Sequence, residues 1–186
     1  MTDKLNDRAR FERDVLVHLP AAHHLARVLL RVPADAEDAV QDACLRAYRA
    51  YHQLAGDSPK PWLLAIVRNV CYRRLQDRRR FGNVVSLDEV LGGGGHDPAL
   101  TAPGHTPEQA AVHAAETAGL AAAIAGLPPV FREVIVLREL EEMSYREIAD
   151  VIGAPIGTVM SRLSRAREEL RQRLTRTLDE DDSHAM

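Results

Sequence analysis

The chain has 186 residues, of which 46% are hydrophobic and 27% charged, with a net charge of -3; this excludes disorder of the whole chain and leaves room for one or two small domains. Only 4% of residues are aromatic, so burial must rest on Leu, Val, Ile and Ala, the residues of helix packing. No apolar run reaches the ~18 residues that a membrane helix requires, so no membrane insertion is expected and the cytoplasm is the expected compartment. Cys44 and Cys71 form neither a C-x-x-C nor a zinc-ligand spacing, and read as small core residues in a reducing environment.

In chain order, residues 8–31 carry Phe11, Val15, Leu16, Leu19, Leu25, Val28 and Leu29 at largely helical spacing, interrupted at Pro20, which predicts two helical pieces. His18, His23 and His24 lack a nearby Asp, Glu or Cys to complete a ligand set, so they read as packing or solvated residues, with no metal and no cofactor expected. A helix follows from Pro33, with Asp35 as its expected cap, and runs to about Tyr51. Val40, Cys44, Ala47 and Tyr51 are expected to point inward. Asp35, Glu37, Asp38, Gln41 and Asp42 then form an acidic, hydrogen-bonding outer face. Residues 54–60 are a loop by composition, and Pro61 is expected at the first position of the next helix. That helix is apolar through Trp62-Leu63-Leu64-Ala65-Ile66-Val67, then basic at Arg68, Arg73, Arg74, Arg78, Arg79 and Arg80, with Asp77 its only acid. Such a helix docks its start on a core and extends a cation face, whose usual target is phosphate backbone.

Residues 82–106 read as a flexible Gly/Pro linker, with Gly92 to Gly95 in a run and Pro98, Pro103 and Pro107 after it. The glycines are no phosphate loop, because the G-K-[ST] continuation is absent and no lysine follows. An alanine-rich helix from Thr106 to about Ala125 comes next, then one from Leu127-Pro128-Pro129 with Val134, Ile135, Leu137 and Leu140 as its apolar stripe. Ser144 and Glu147 have the spacing of a capping box, and Ile148, Ala149 and Ile152 give the helix they open an apolar edge. Gly153 is suited to leave that helix with positive φ, and Pro155 to open the following one. On that second helix Val159, Leu163, Ala166, Leu170 and Leu174 fall on one side, and Thr158, Ser161, Ser164 and Arg165 on the other. A short helix, a turn with Gly and a second helix with a polar outer face make a helix-turn-helix suited to DNA. The expected fold is therefore all-α: a helical domain over 1–81, the linker 82–106, a helix-turn-helix domain over 107–178, and an acidic tail over 179–186 that should fray.

Taken together, these segments resemble the sigma-70 superfamily of RNA polymerase sigma factors, in its short extracytoplasmic-function (ECF) group. Asp35 to Tyr48 is similar to the family's region 2.2, Pro61 to Asn69 with the trailing arginines to regions 2.3 and 2.4, and Leu127 to Arg167 to region 4. Gly157-Thr158-Val159-Met160-Ser161-Arg162 is the most specific match. The chain departs from the family pattern at Asp42, Tyr48 and Met160, and its 54–59 loop lacks the common aromatic. The resemblance implies a transcription initiation factor, not an enzyme, with no catalytic residues. It implies core RNA polymerase (the β′ and β subunits), promoter DNA and an anti-sigma factor as partners, and no homo-oligomer. Asp35, Glu37, Asp38, Gln41 and Asp42 would contact polymerase. Trp62, Arg68, Asn69, Arg73 and Arg74 would bind the -10 element, and Thr158, Ser161, Arg162, Ser164 and Arg165 the -35 element. The rival reading is a free-standing helix-turn-helix regulator, which would need a sensor site and usually self-association. An enzyme would need a nucleophile, base and orienter constellation, and no such motif occurs.

Overall fold

A computed structural model describes residues 2–54, 58–80 and 117–184, and the side chains of 7–52, 54, 58–80 and 117–175. The expected linker and the first part of the alanine-rich helix lie outside the described residues. Those described are helical with no strand among them. They comprise α1 (Thr2–Asp14), a 3₁₀ turn (Leu16–His18), α2 (Leu19–Leu30), α3 (Pro33–Ala50), a second 3₁₀ turn (Tyr51–Gln53) and α4 (Pro59–Arg80). Then come α5 (117–125), α6 (Pro129–Ile135) continuing as a π turn (Val136–Leu140), α7 (Tyr145–Ile152) and α8 (Ile156–His184).

In the first domain α2, α3 and α4 pack on one another around Leu25, Leu29, Leu63, Leu64, Val67 and Cys71, all fully buried. Helix α3 contributes mainly alanines to this core (Ala36, Ala39, Ala43 and Ala47, with Val40), and small side chains let the neighbouring helix axes approach closely. Phe11 meets Tyr48 and Tyr51 edge-on, at 5.2 and 5.5 Å between ring centroids, and the Tyr51 hydroxyl donates to Asp14 at 2.8 Å, so α1 is tied to the end of α3. The cap of α3 is Val32, with Pro33 in its first turn. Asp35 is not the cap, because Pro33 already supplies the starting φ. Pro59 likewise opens α4 ahead of Pro61, which moves Lys60 from the expected loop into the helix.

In the second domain the capping box forms: the Ser144 backbone N–H donates to Glu147 at 2.8 Å, and the Glu147 N–H donates to the Ser144 hydroxyl at 3.2 Å. Ile148, Val151 and Ile152 are buried, and Gly153 ends α7 with φ 63°. Pro155 sits one position outside α8, whose first turn it caps through its carbonyl, accepting from Thr158 at 2.8 Å. Leu140 does not join the apolar stripe; it is 60% exposed, while Val136 is fully buried. The cause is the π turn, in which the Glu141 N–H reaches back to the Val136 carbonyl at 3.0 Å, so one extra residue in that turn rotates Leu140 outwards. Helix α8 continues to His184, through the acidic stretch expected to fray, with neither Gly nor Pro after Gly157 to interrupt it.

A Cβ added at Gly153 would meet nothing within 4 Å, so Gly153→Ala is a purely conformational test. We expect it to cost about 1 kcal/mol, from the left-handed backbone alone, measured by chemical unfolding against the unaltered chain.

The two domains pack against each other, α4 on α7 and α2 on α6, and their buried residues form one apolar cluster.

Candidate functional site

The acidic face of α3 is only partly free. Asp42 takes a two-pronged contact from Arg46, both N–O distances 2.9 Å, and Asp35 is paired with Arg78 of α4. The Asp38 side chain is 66% exposed and lies 3.9 Å from Arg74, the outer limit of an ion pair. Glu37 and Gln41 are exposed. Beside this face Leu45 and Tyr48 stand 59% and 47% exposed. The face therefore offers acids, an amide and apolar surface together, the mixture a protein partner engages.

On α4 the expected residues divide by environment. Asn69 and Arg73 are exposed. Trp62 is half-buried and packs against the core. Arg74 and Arg78 turn towards α3 and are partly neutralised by Asp38 and Asp35. Arg68 is carried into the domain interface, where its Nε donates to Glu133 at 2.7 Å and its Nη2 at 3.2 Å. Burial works against the Arg68 charge, but the Glu133 carboxylate outweighs it and holds the guanidinium above its usual range. Tyr72 lies under Arg68, 4.5 Å from cation to ring centroid, and burial followed by Glu133 pushes its hydroxyl pKa up.

Helix α8 sorts as its periodicity predicts. Val159, Leu163 and Ala166 are buried, Leu170 and Leu174 are half-buried, and Ser161, Ser164 and Arg165 are exposed, with Thr158 half-buried. The Ser161 hydroxyl donates to the Thr158 carbonyl at 3.0 Å. Met160 is 54% exposed at the head of this face. Arg162 turns the other way, to Glu133 at 3.3 Å. A rigid helix carrying hydroxyls and the exposed Arg165 on one face, propped by a capped partner helix, is suited to groove contacts.

Four residues with consequences here were not singled out in the sequence: Glu133, Glu141, Lys60 and Arg132. Glu133 is fully buried although ionisable, and its signal was a single acid inside the apolar run Val130 to Leu137. Glu141 accepts from Lys60 at 2.9 Å and lies 2.9 Å from His24 Nδ1; burial raises its pKa, and those two partners more than reverse that. Among the described residues no three His, Cys, Asp or Glu side chains gather as a metal ion would need. Cys71 is buried and its thiol pushed up to about 12 by desolvation, which makes it an inert core residue.

The family described as Sigma-70 region 2 matches residues 15–81, and that described as Sigma-70, region 4 matches residues 118–170. The chain is 35% identical over 174 residues to the RNA polymerase sigma-H factor of Pseudomonas aeruginosa, covering 90% of this chain and 88% of that protein. It is 31% identical over 159 residues to the ECF RNA polymerase sigma factor SigE of Mycolicibacterium smegmatis, covering 86% of this chain but only 59% of that longer protein. Among solved structures it is similar to the sigma factor RpoE from Bartonella quintana, in complex with the anti-sigma factor NepR. The TM-score is 0.69 and the identity 31%, over 89% of this chain and 97% of that one.

Proposed function

Because the chain belongs to the sigma-70 family, among the extracytoplasmic-function sigma factors, we propose a division of labour between the faces described above. The protein is a transcription initiation factor that binds core RNA polymerase and directs it to promoters. In our reading the acidic face of α3, with Asp38 and Gln41 at its exposed centre, docks on polymerase. Asn69 and Arg73 on α4 meet the -10 element, together with Arg68, Arg74 and Trp62 once these are uncovered. Thr158, Ser161, Ser164 and Arg165 on α8 meet the -35 element, joined by Arg162 when it leaves Glu133. The observation that carries this reading is the exposed polar face of α8 on a capped helix-turn-helix, coupled to a second helical domain that bears both an acidic and a basic face. A free-standing regulator gives the first domain no such role. The function is one of binding and not of catalysis, exercised in the cytoplasm where polymerase and DNA are. Since the Bartonella quintana relative forms a complex with an anti-sigma factor, we assign this chain a regulator of the same kind.

Retention of the purified chain on core polymerase, followed by promoter-dependent transcription, tests the function directly; failure to bind core would overturn it. The division of labour has its own test. Arg165 is exposed, opposite the buried stripe, so Arg165→Ala removes a contact without opening the core. If Arg165 reads a base, the loss is about 1–3 kcal/mol, confined to one position of the -35 element. Asn69→Ala and Arg73→Ala should weaken use of the -10 element and leave -35 preference intact. Transcription from promoter variants decides between them, and a crossed result would show the domains assigned to the wrong elements.

A further inference from the structure

Two cations at the C-terminal end of α2 belong to neither of the DNA-facing surfaces described above. Arg132, on α6, is 5% exposed and donates through Nη1 to the Val28 carbonyl at 2.7 Å. Arg31 closes α2 three residues after Val28, at the cap position, and is half-buried. The two guanidiniums are near enough to repel: burial first, and Arg31 second, pull the Arg132 pKa down to about 10. Neither pairs with a carboxylate among the described residues; Glu133, next to Arg132 in the chain, is taken up by Arg68 and Arg162. Each also keeps a buried donor without an acceptor, the Nε–H of Arg31 and the Nε–H of Arg132. The helix end does not balance this charge. A helix C-terminus carries about half a negative elementary charge, against one full positive charge on each arginine. Nor is Arg31 a residue that its backbone favours, because φ is 68° there, a left-handed conformation that glycine or asparagine adopts at lower energy. Buried cations without a counter-charge are costly, and buried donors are ordinarily met by a protein group, a water or an ion. The Nε–H of a guanidinium, with the Nη beside it, forms one of the forks that grip an oxyanion by two parallel hydrogen bonds.

We propose that Arg31 and Arg132 form a binding site for a small oxyanion of the phosphate class, inorganic phosphate or the phosphate group of a small molecule, held between the end of α2 and α6. Both Nε–H groups donate to its oxygens, and its charge removes the repulsion between the two arginines. The ligand is small because Arg132 is 5% exposed, which leaves no approach for the backbone of a duplex. One arginine comes from each domain, so the site is complete only where α2 meets α6. This goes beyond the promoter reading and does not depend on it.

The test uses the full-length protein, with inorganic phosphate and pyrophosphate as probes against chloride at matched ionic strength. Isothermal titration calorimetry should show one site per chain. At a probe concentration about a hundred times the dissociation constant, the thermal midpoint should rise by about 5 °C. Arg31→Glu places a carboxylate beside Arg132, so it should raise the midpoint in chloride and abolish the response to both probes. Should Arg31→Glu fail to fold, Arg31→Gly carries the test: it deletes the cation, suits the left-handed backbone, and should likewise lose the response. Phosphate also stabilises proteins generally, by exclusion from their surfaces. A rise that persists undiminished in the variant is that general effect and overturns the proposal, as does a wild-type midpoint that is equal in phosphate and chloride. Affinity for a labelled duplex of mixed sequence, read by fluorescence anisotropy, should be the same in wild type and variant; a fall would make these cations part of the DNA-binding face and overturn the small-anion site. Retention on core polymerase is measured alongside. A chain that binds core but not phosphate loses only the anion site, and one that binds phosphate but not core loses only the promoter function.

Discussion

Leu163→Ala is expected to lower stability by about 2–5 kcal/mol and to abolish dependence on the -35 element. Leu163 is 1% exposed on α8, in the stripe with Val159 and Ala166 that joins the core shared with Ile148 and Leu137. Truncation removes apolar contact and leaves a cavity, because the surrounding helices relax only in part. Helix α8 is fixed by this stripe, so loosening it disperses Ser161, Ser164 and Arg165 from one groove-facing geometry. Arg165→Ala, two residues on and on the opposite face, should cost stability no more than about half a kcal/mol. Urea unfolding of both variants, followed by helical circular dichroism, checks the contrast. Equal stabilities would mean that Leu163 does not anchor the helix.

What the sequence disclosed was mostly local. The Ser144–Glu147 box and the positive φ at Gly153 depend on residues within one turn of each other, so spacing alone identifies them. The buried stripe of α8 follows from a period of 3.6, which any straight helix obeys. Leu140 escaped the same logic because a π turn breaks the period that predicted it, and nothing in the residues Val136 to Leu140 announces a wider turn. The starts of α3 and α4 differed from expectation where two starting signals competed: Pro33 with Asp35, and Pro59 with Pro61. The interface acids were least legible. Arg68 and Glu133 are far apart in the chain, and their pairing is a property of how two domains meet. Basic residues on α4 and α8 read naturally as DNA contacts from pattern, but pattern carries no information about which of them the protein itself occupies. The expected linker lies among residues outside those described.

Reversing Asp38 should abolish polymerase binding while leaving the fold nearly untouched. The Asp38 side chain is 66% exposed, and its single ion pair, to Arg74 at 3.9 Å, is long and open to solvent. Screened surface pairs of that kind contribute little, so Asp38→Arg should change stability by no more than about half a kcal/mol even with Arg74 nearby. At an interface the same reversal acts twice, deleting an attraction and placing like charges together, which costs several kcal/mol. A loss of about 3 kcal/mol corresponds to more than a hundredfold in affinity. Asp38→Asn removes the attraction without adding repulsion, and should fall between the two. The graded series separates an electrostatic contact from a structural one, because a structural role would make the asparagine and arginine variants unfold together. Core-polymerase affinity and thermal midpoint, measured on all three proteins, settle it. Normal binding by Asp38→Arg would remove the α3 face from the polymerase interface. Parallel loss of binding and of the thermal midpoint would instead make Asp38, through Arg74, part of what holds α3 against α4.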